Sequence, residues 1–216
     1  MRASDRAYAA LLDEIQSGVL APGAVVAEVE QAARLGVSRT PMREAIGRLV
    51  ADGLVRQQSA RVLVVTGFDA DDIRRLFEVR RALEEAAARI AAARGDREIF
   101  RALAADFEAA DPATASGADD YYALIARYDA AVDAAADNTY LTQALKAART
   151  HLVRARRLAR DKPERLLASV AEHALIASAI AARDPELAAH ATHVHLHNAL
   201  ASILSSVSES HTEGTK

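Results

Sequence analysis

From residue 70 to residue 206 the sequence carries one kind of hydrophobic period, the three-to-four spacing of helices, and no stretch that alternates like a strand. Breaks at Gly95, Asp111-Pro112, Ser116-Gly117, Asp137, Pro163 and Asp184-Pro185 divide it into helices over 70–94, 97–109, 118–136, 138–160, 164–183 and 185–206. Helices with no sheet to lie on must bury their apolar faces against one another. The pattern therefore predicts a six-helix antiparallel bundle.

The first 67 residues read differently. Tyr8, Leu11, Leu12 and Ile15 recur at helical spacing up to Gly18, and Ala21-Pro22-Gly23 makes a turn. A short helix over 27–35 stops at Gly36. Ser38 then stands as an N-cap before a run that aligns Met42, Ala45, Ile46 and Leu49 on one face, closed by Asp52-Gly53. Leu54-Val55-Arg56 and Val62-Leu63-Val64-Val65 are β-prone and flank Gln57 to Arg61 as a hairpin. This is the element order of a winged helix-turn-helix. The expected organisation is thus a DNA-binding domain over 1–67, a helical domain over 68–206 and a polar, disordered tail over 207–216, in a mainly α protein.

Composition narrows the classes. The chain has no cysteine, which removes disulfide frameworks and zinc fingers. No apolar run is read as approaching the roughly 20 residues of a membrane span, and the N-terminus lacks a signal-peptide core, so a cytoplasmic protein without a membrane partner is expected. The net charge is -3. Residues 1–66 hold eight arginines against seven carboxylates, so the domain is near neutral. Affinity for DNA has to come from where the arginines point, not from bulk charge.

In a helix-turn-helix the second helix enters the major groove, and residues near its N-terminus reach bases and phosphates. Ser38 and Thr40 can donate hydroxyls to phosphate at the positive end of that helix. Arg39 and Arg43 lie four apart, on one face, where each can fork onto a guanine edge or clamp a phosphate. Arg48, in the same helix, and Arg61, in the wing, complete the candidate DNA contacts.

Leu35-Gly36-Val37-Ser38-Arg39-Thr40-Pro41-Met42-Arg43-Glu44-Ala45, followed by Leu49 and Asp52-Gly53-Leu54-Val55, closely resembles the GntR family of bacterial regulators. Gly18-Val19-Leu20-Ala21-Pro22-Gly23 looks like the family's turn between its first two helices. Two positions depart from the family pattern. Gln31 replaces a leucine, which predicts looser packing in the second helix, and the wing tip has no glycine, which puts minor-groove contact by the wing in question.

The helical remainder is similar to the C-terminal (FCD) domain of the FadR-type branch, through Leu76-Phe77-Glu78-Val79-Arg80-Arg81-Ala82-Leu83-Glu84, Ala136-Asp137-Asn138-Thr139-Tyr140-Leu141 and Glu172-His173-Ala174-Leu175-Ile176. The resemblance implies a homodimer that binds a small organic acid, often through a metal held by one Asp and three His. Here Ile125 stands at the usual Asp and Asp129 at the usual first His, which leaves Asp129, His173 and His195 as candidate ligands. His173 shares a stripe with Leu166, Val170, Ile176, Ala177 and Ile180, and Asp129 one with Ile125, Val132 and Ala136. His195 lies opposite the trio His190, His193 and His197. An oxygen and two nitrogens with an open position suit one divalent ion per subunit, zinc first. The alternative is that Asp129 pairs with a buried His or Arg, leaving the site without metal.

Arg80 sits on the stripe of Ile73, Leu76, Phe77, Leu83 and Ala87, and a buried guanidinium wants an anion. Its partner is either an effector carboxylate or an internal acid such as Asp129. Tyr122 and Tyr128 are further candidates for lining the cavity. The favoured function is a ligand-responsive transcription regulator, a repressor, bound as a homodimer to a palindromic double-stranded DNA operator. The competing classes are a metal-dependent hydrolase built on Asp129, His173 and His195, and an architectural DNA binder with an inert bundle.

Overall fold

The computed structural model describes residues 1–60, 62–114, 117–159 and 163–213. The chain divides into two compact units, Met1–Asp69 and Ala70–Lys216.

In the first unit, α1 (Ala3–Ser17) buries Ala7, Leu11 and Ile15 along one stripe and ends at Gly18. α2 (Glu28–Arg34) and α3 (Arg39–Ala51) follow, and α3 buries Met42, Ala45, Ile46 and Leu49 as its spacing predicts. The tight link between α2 and α3 turns at Gly36, whose φ of 64° lies in the left-handed region that a side chain disfavours. Leu11, Met42, Leu49 and Leu54 are fully buried at the centre of this unit. Each such side chain contributes ~1.5–3 kcal/mol by leaving water.

The wing is the antiparallel pair β1 (Val55–Ser59) and β2 (Val62–Val65), with Val55 opposite Val65. β1 runs further than the sequence suggests. Ser59 pairs with Val62, and the register shifts between Gln57 and Ser59. The extra residue on β1 adds local twist to the wing. Val25 bridges to Val64 and ties the α1–α2 connection to the wing.

Gln31 does not loosen α2. It is buried, and its amide oxygen accepts two hydrogen bonds from Arg34, at 2.9 and 2.6 Å, while Arg34 also forks onto Glu14. The polar atom that replaces leucine is thereby satisfied, and burial is tolerated.

The second unit contains α4 (Ala70–Arg94), α5 (Arg97–Glu108), α6 (Gly117–Ala136), α7 (Thr139–Ala159), α8 (Pro163–Ala182) and α9 (Pro185–Glu213). These are the six expected helices of a mainly α bundle. α9 runs past the expected end at 206, so helix continues into the stretch predicted to be tail. α4 packs on α6, α7 and α9, and α8 on α5 and α9. Buried alanines (Ala87, Ala88, Ala91, Ala177, Ala188, Ala191) keep side-chain bulk low inside the bundle.

One expectation needs correcting. By length and composition alone α8 is apolar enough to cross a membrane. Its apolarity is that of a core helix: one face buries Leu166, Val170, Ile176 and Ile180 inside the bundle together with Ser169 and His173.

Candidate functional site

Two constellations emerge, one in each unit. In the first, Ser38 caps α3 with an extended backbone, φ -73° and ψ 165°, and its side chain makes no capping bond. Ser38, Arg39, Thr40 and Arg43 are all exposed, gathered at the open end of α3. Both arginines reach back to one carboxylate, that of Glu28 in the first turn of α2. Arg39 Nε donates to Oε1 at 3.1 Å. Arg43 donates through Nε to Oε2 and through Nη2 to Oε1, both at 3.0 Å. The hydrogen bonds from Arg43, with a smaller contribution from Arg39, hold the Glu28 carboxyl below its ordinary range.

Arg48 points elsewhere. It pairs with Asp5 at 2.9 Å and lies over the ring of Tyr8, 3.9 Å from its centroid, on the α1 side of α3. Tyr8 Oη in turn donates to Asp52 at 2.6 Å. Burial and this bond to Asp52 push the Tyr8 hydroxyl up to about 12. Arg61, the candidate wing contact, lies outside the described residues.

The second constellation lines a cavity inside the bundle. Arg80, Glu84, Tyr128, Asp129, Arg149, His173 and His195 surround a space of about 30 Å³, and a second lobe of about 60 Å³ shares Arg80, His173 and His195 with it. On this measure one water needs ~10–15 Å³, so the space suits only a small ligand. Tyr122 lines the second lobe and Tyr128 the first.

Arg80 is buried as its stripe implied. Its partner is Glu84, one turn along α4, at 2.7 and 3.3 Å, and not Asp129. Burial works to raise the Glu84 carboxyl, but the adjacent guanidinium outweighs it and holds the group ionised. Asp129 pairs with Arg149 at 3.2 Å, and Arg149 bonds Asp133 at 2.7 Å. Sequence reasoning passed over Arg149, although it lies one turn from Leu145 and Leu152, both buried on α7.

The two histidines meet with ring centroids 4.3 Å apart. His173 Nδ1 lies 2.8 Å from the Ser169 carbonyl, which can only accept, so that nitrogen carries the proton. His195 Nδ1 lies 2.7 Å from Glu172, which is also held by Arg165 and Asn198. Burial favours neutral His195 despite the pull of Glu172. Burial also opposes ionisation of Glu172, but bonds from His195, Arg165 and Asn198 outweigh it and set that carboxyl at about 2. Neutral His195 therefore donates from Nδ1 and presents a lone pair at Nε2.

Both His195 and Tyr128 line the cavity, where Nε2 of the one and the hydroxyl of the other are the polar atoms that can meet a ligand. Burial, then the charges of Asp129 and Glu84, raise the Tyr128 hydroxyl well above its usual range and keep it a neutral donor.

These residues do not make a metal cage as arranged. His173 and His195 are oriented as ligands often are, each with Nδ1 anchored to an oxygen. The third candidate, Asp129, is held by a guanidinium. Among the described residues no three His, Cys, Asp or Glu side chains cluster as metal ligands.

Residues 3–65 match the bacterial regulatory proteins of the gntR family, and residues 75–198 match the FCD domain. The chain is 34% identical over 185 residues, 85% of its own length and 80% of the relative's, to a probable D-xylose utilization operon transcriptional repressor of Paenarthrobacter nicotinovorans. It is 44% identical over 82 residues, 38% of its length, to an uncharacterized HTH-type transcriptional regulator from the TAR-I ttuE-ttuC' intergenic region of Agrobacterium vitis, and spans about half (48%) of that relative. Among solved structures, E. coli McbR/YncC superposes with a TM-score of 0.73 at 19% identity, covering 95% of this chain and 98% of that one. At that identity the likeness speaks for the fold.

Proposed function

Because the chain belongs to the GntR family of transcription regulators, DNA-binding proteins and not enzymes, with an FCD domain after its winged unit, we propose that it is a ligand-responsive repressor. It acts in the cytoplasm as a homodimer on a palindromic operator. The observation that carries this reading is the cluster of Ser38, Arg39, Thr40 and Arg43, all exposed at the N-terminal end of α3. Hydroxyls and guanidiniums at a helix N-terminus are groups that meet phosphates and guanine edges. The hydrolase reading falls with the family assignment.

The effector is a small organic acid that also carries a hydroxyl. Its carboxylate is drawn to Arg80 and Arg149, its hydroxyl donates to His195 Nε2, and Tyr128 donates to whichever oxygen is nearer. Such a ligand couples to the operator by as much as its affinity differs between the DNA-bound and free forms. The site works without a metal, because Arg149 already supplies the positive charge beside Asp129.

The DNA reading is tested on a duplex selected from a random library with the wild-type protein. Arg39→Ala and Arg43→Ala should each weaken binding roughly 10- to 100-fold if they read bases. Wild-type affinity in both variants would end the reading-helix assignment. For the cavity, thermal shift with small hydroxy acids should exceed that with the same acids lacking the hydroxyl, and Tyr128→Phe should reduce it. One divalent ion per subunit in purified protein, with the shift abolished by chelator, would overturn the metal-free site.

A further inference from the structure

Two exposed guanidiniums on the reading face converge on a single carboxylate. Arg39 and Arg43 have side chains 65% and 67% exposed, yet both are tied to Glu28, which comes from the neighbouring helix and is 23% exposed. A negative charge among the residues expected to meet DNA opposes the phosphates by simple Coulomb repulsion. If general affinity were all that mattered, the position would be better filled by a neutral or positive residue.

The bond pattern suggests what the carboxylate does instead. Glu28 occupies Arg43 through Nε and the adjacent N–H of Nη2. A guanidinium has five N–H groups, and the edge between Nη1 and Nη2 remains for a second partner. That edge is the fork that matches a guanine O6 and N7. Arg39 is held through Nε alone, so both of its terminal nitrogens remain available. Glu28 itself starts α2, where a carboxylate is favoured by the unpaired backbone N–H groups.

Resting on the reading-helix assignment above, we propose that Glu28 is a specificity-determining positioning residue. It holds Arg39 and Arg43 with their terminal edges outward for base recognition, and its charge penalises binding that engages phosphates alone. On a correct site the arginines keep Glu28 on one edge and gain a base on the other. On an incorrect site the base partner is missing and the repulsion stays.

The test uses the full chain in fluorescence anisotropy with two duplexes of equal length, one selected from a random library with wild-type protein and one shuffled. Glu28→Gln, which removes the charge at constant shape, should bind the shuffled duplex ~10-fold more tightly and steepen its salt dependence by about one. Binding of the selected duplex should change less, so the preference between them falls. Glu28→Asp keeps the charge but is one methylene too short to bridge both arginines. It should weaken the selected duplex without tightening the shuffled one. An unchanged preference in both variants, with melting temperatures like wild type, would overturn the proposal. Failure of the reading helix itself has a separate signature, wild-type affinity in Arg39→Ala and Arg43→Ala, and would remove this inference with it.

Discussion

Arginine on carboxylate is the recurring polar contact of both units, and it has opposite consequences in the two. In the winged unit Arg39 and Arg43 share Glu28 in open solvent. Exposed pairs of this kind add little to stability, and their guanidiniums exchange partners easily. In the bundle the Arg80 side chain is 4% exposed against Glu84, and Arg165 and Glu172 are nearly as enclosed. There each charge depends on its partner, since a lone buried charge is strongly unfavourable. One set of pairs leaves guanidinium edges open to DNA, the other lines an enclosed cavity.

The largest expected effect lies at the most enclosed pair. Glu84→Ala leaves the Arg80 guanidinium buried beside the Phe77 ring with no anion, and should destabilise the bundle by ~3–5 kcal/mol. Urea unfolding of the two variants measures the contrast directly. Glu28→Ala, at the exposed pair, should leave the unfolding midpoint where it is. Equal losses in the two variants would break the distinction between the units. Partial recovery of Glu84→Ala by a carboxylate ligand would sharpen it, because the ligand would be taking the place of the lost acid.

What the sequence reveals follows the same division between local and distant. Helix boundaries were legible because Gly, Pro and Asp punctuate a strong period, and the inward settings of Arg80, His173 and His195 follow from 100° of rotation per residue. Partners were less so. Glu84 is one turn from Arg80 and was within reach of the same geometry, but the apolar stripe drew attention to what is buried and not to what neutralises it. Glu172 meets His195 from another helix, 23 positions away, and only the packing of α8 on α9 brings them together. Gln31 shows the converse. A polar residue at a leucine position reads as a defect until Arg34 is seen to satisfy it.

The next effect concerns pH. Folding lowers the proton affinity of both His195 and Glu172, against ordinary values of 6.5 and 4.5. The unfolded chain therefore binds these protons first, and stability from the cluster rises with pH. It is complete above about pH 6.5, begins to fall as the unfolded histidine titrates, and falls again from pH 4.5 towards 2, where folded Glu172 titrates. Melting temperature should decline in two stages on acidification, and Glu172→Gln should remove the lower stage. A melting temperature that stays level from pH 7 to pH 4 would show that the buried pairs are not the acid-sensitive part of the molecule.

Arg48 carries the smallest expected effect and is the sharpest test of where the DNA-facing surface ends. It lies on the reading helix, nine residues after Arg39, which at 100° per residue is the opposite side. Its guanidinium is spent on Asp5 and the face of Tyr8, so it belongs with the packing of α1 on α3. The pair is half exposed, and Arg48→Ala should lower the stability of the winged unit by at most ~1 kcal/mol. Affinity for selected and shuffled duplexes should stay within about twofold, with an unaltered salt dependence. A loss of affinity equal on both duplexes would make Arg48 a phosphate contact and extend the DNA-facing surface round the helix to α1. A loss confined to the selected duplex would mean that the side of α3 facing α1 also reads bases, and that Arg39 and Arg43 do not define the reading face alone.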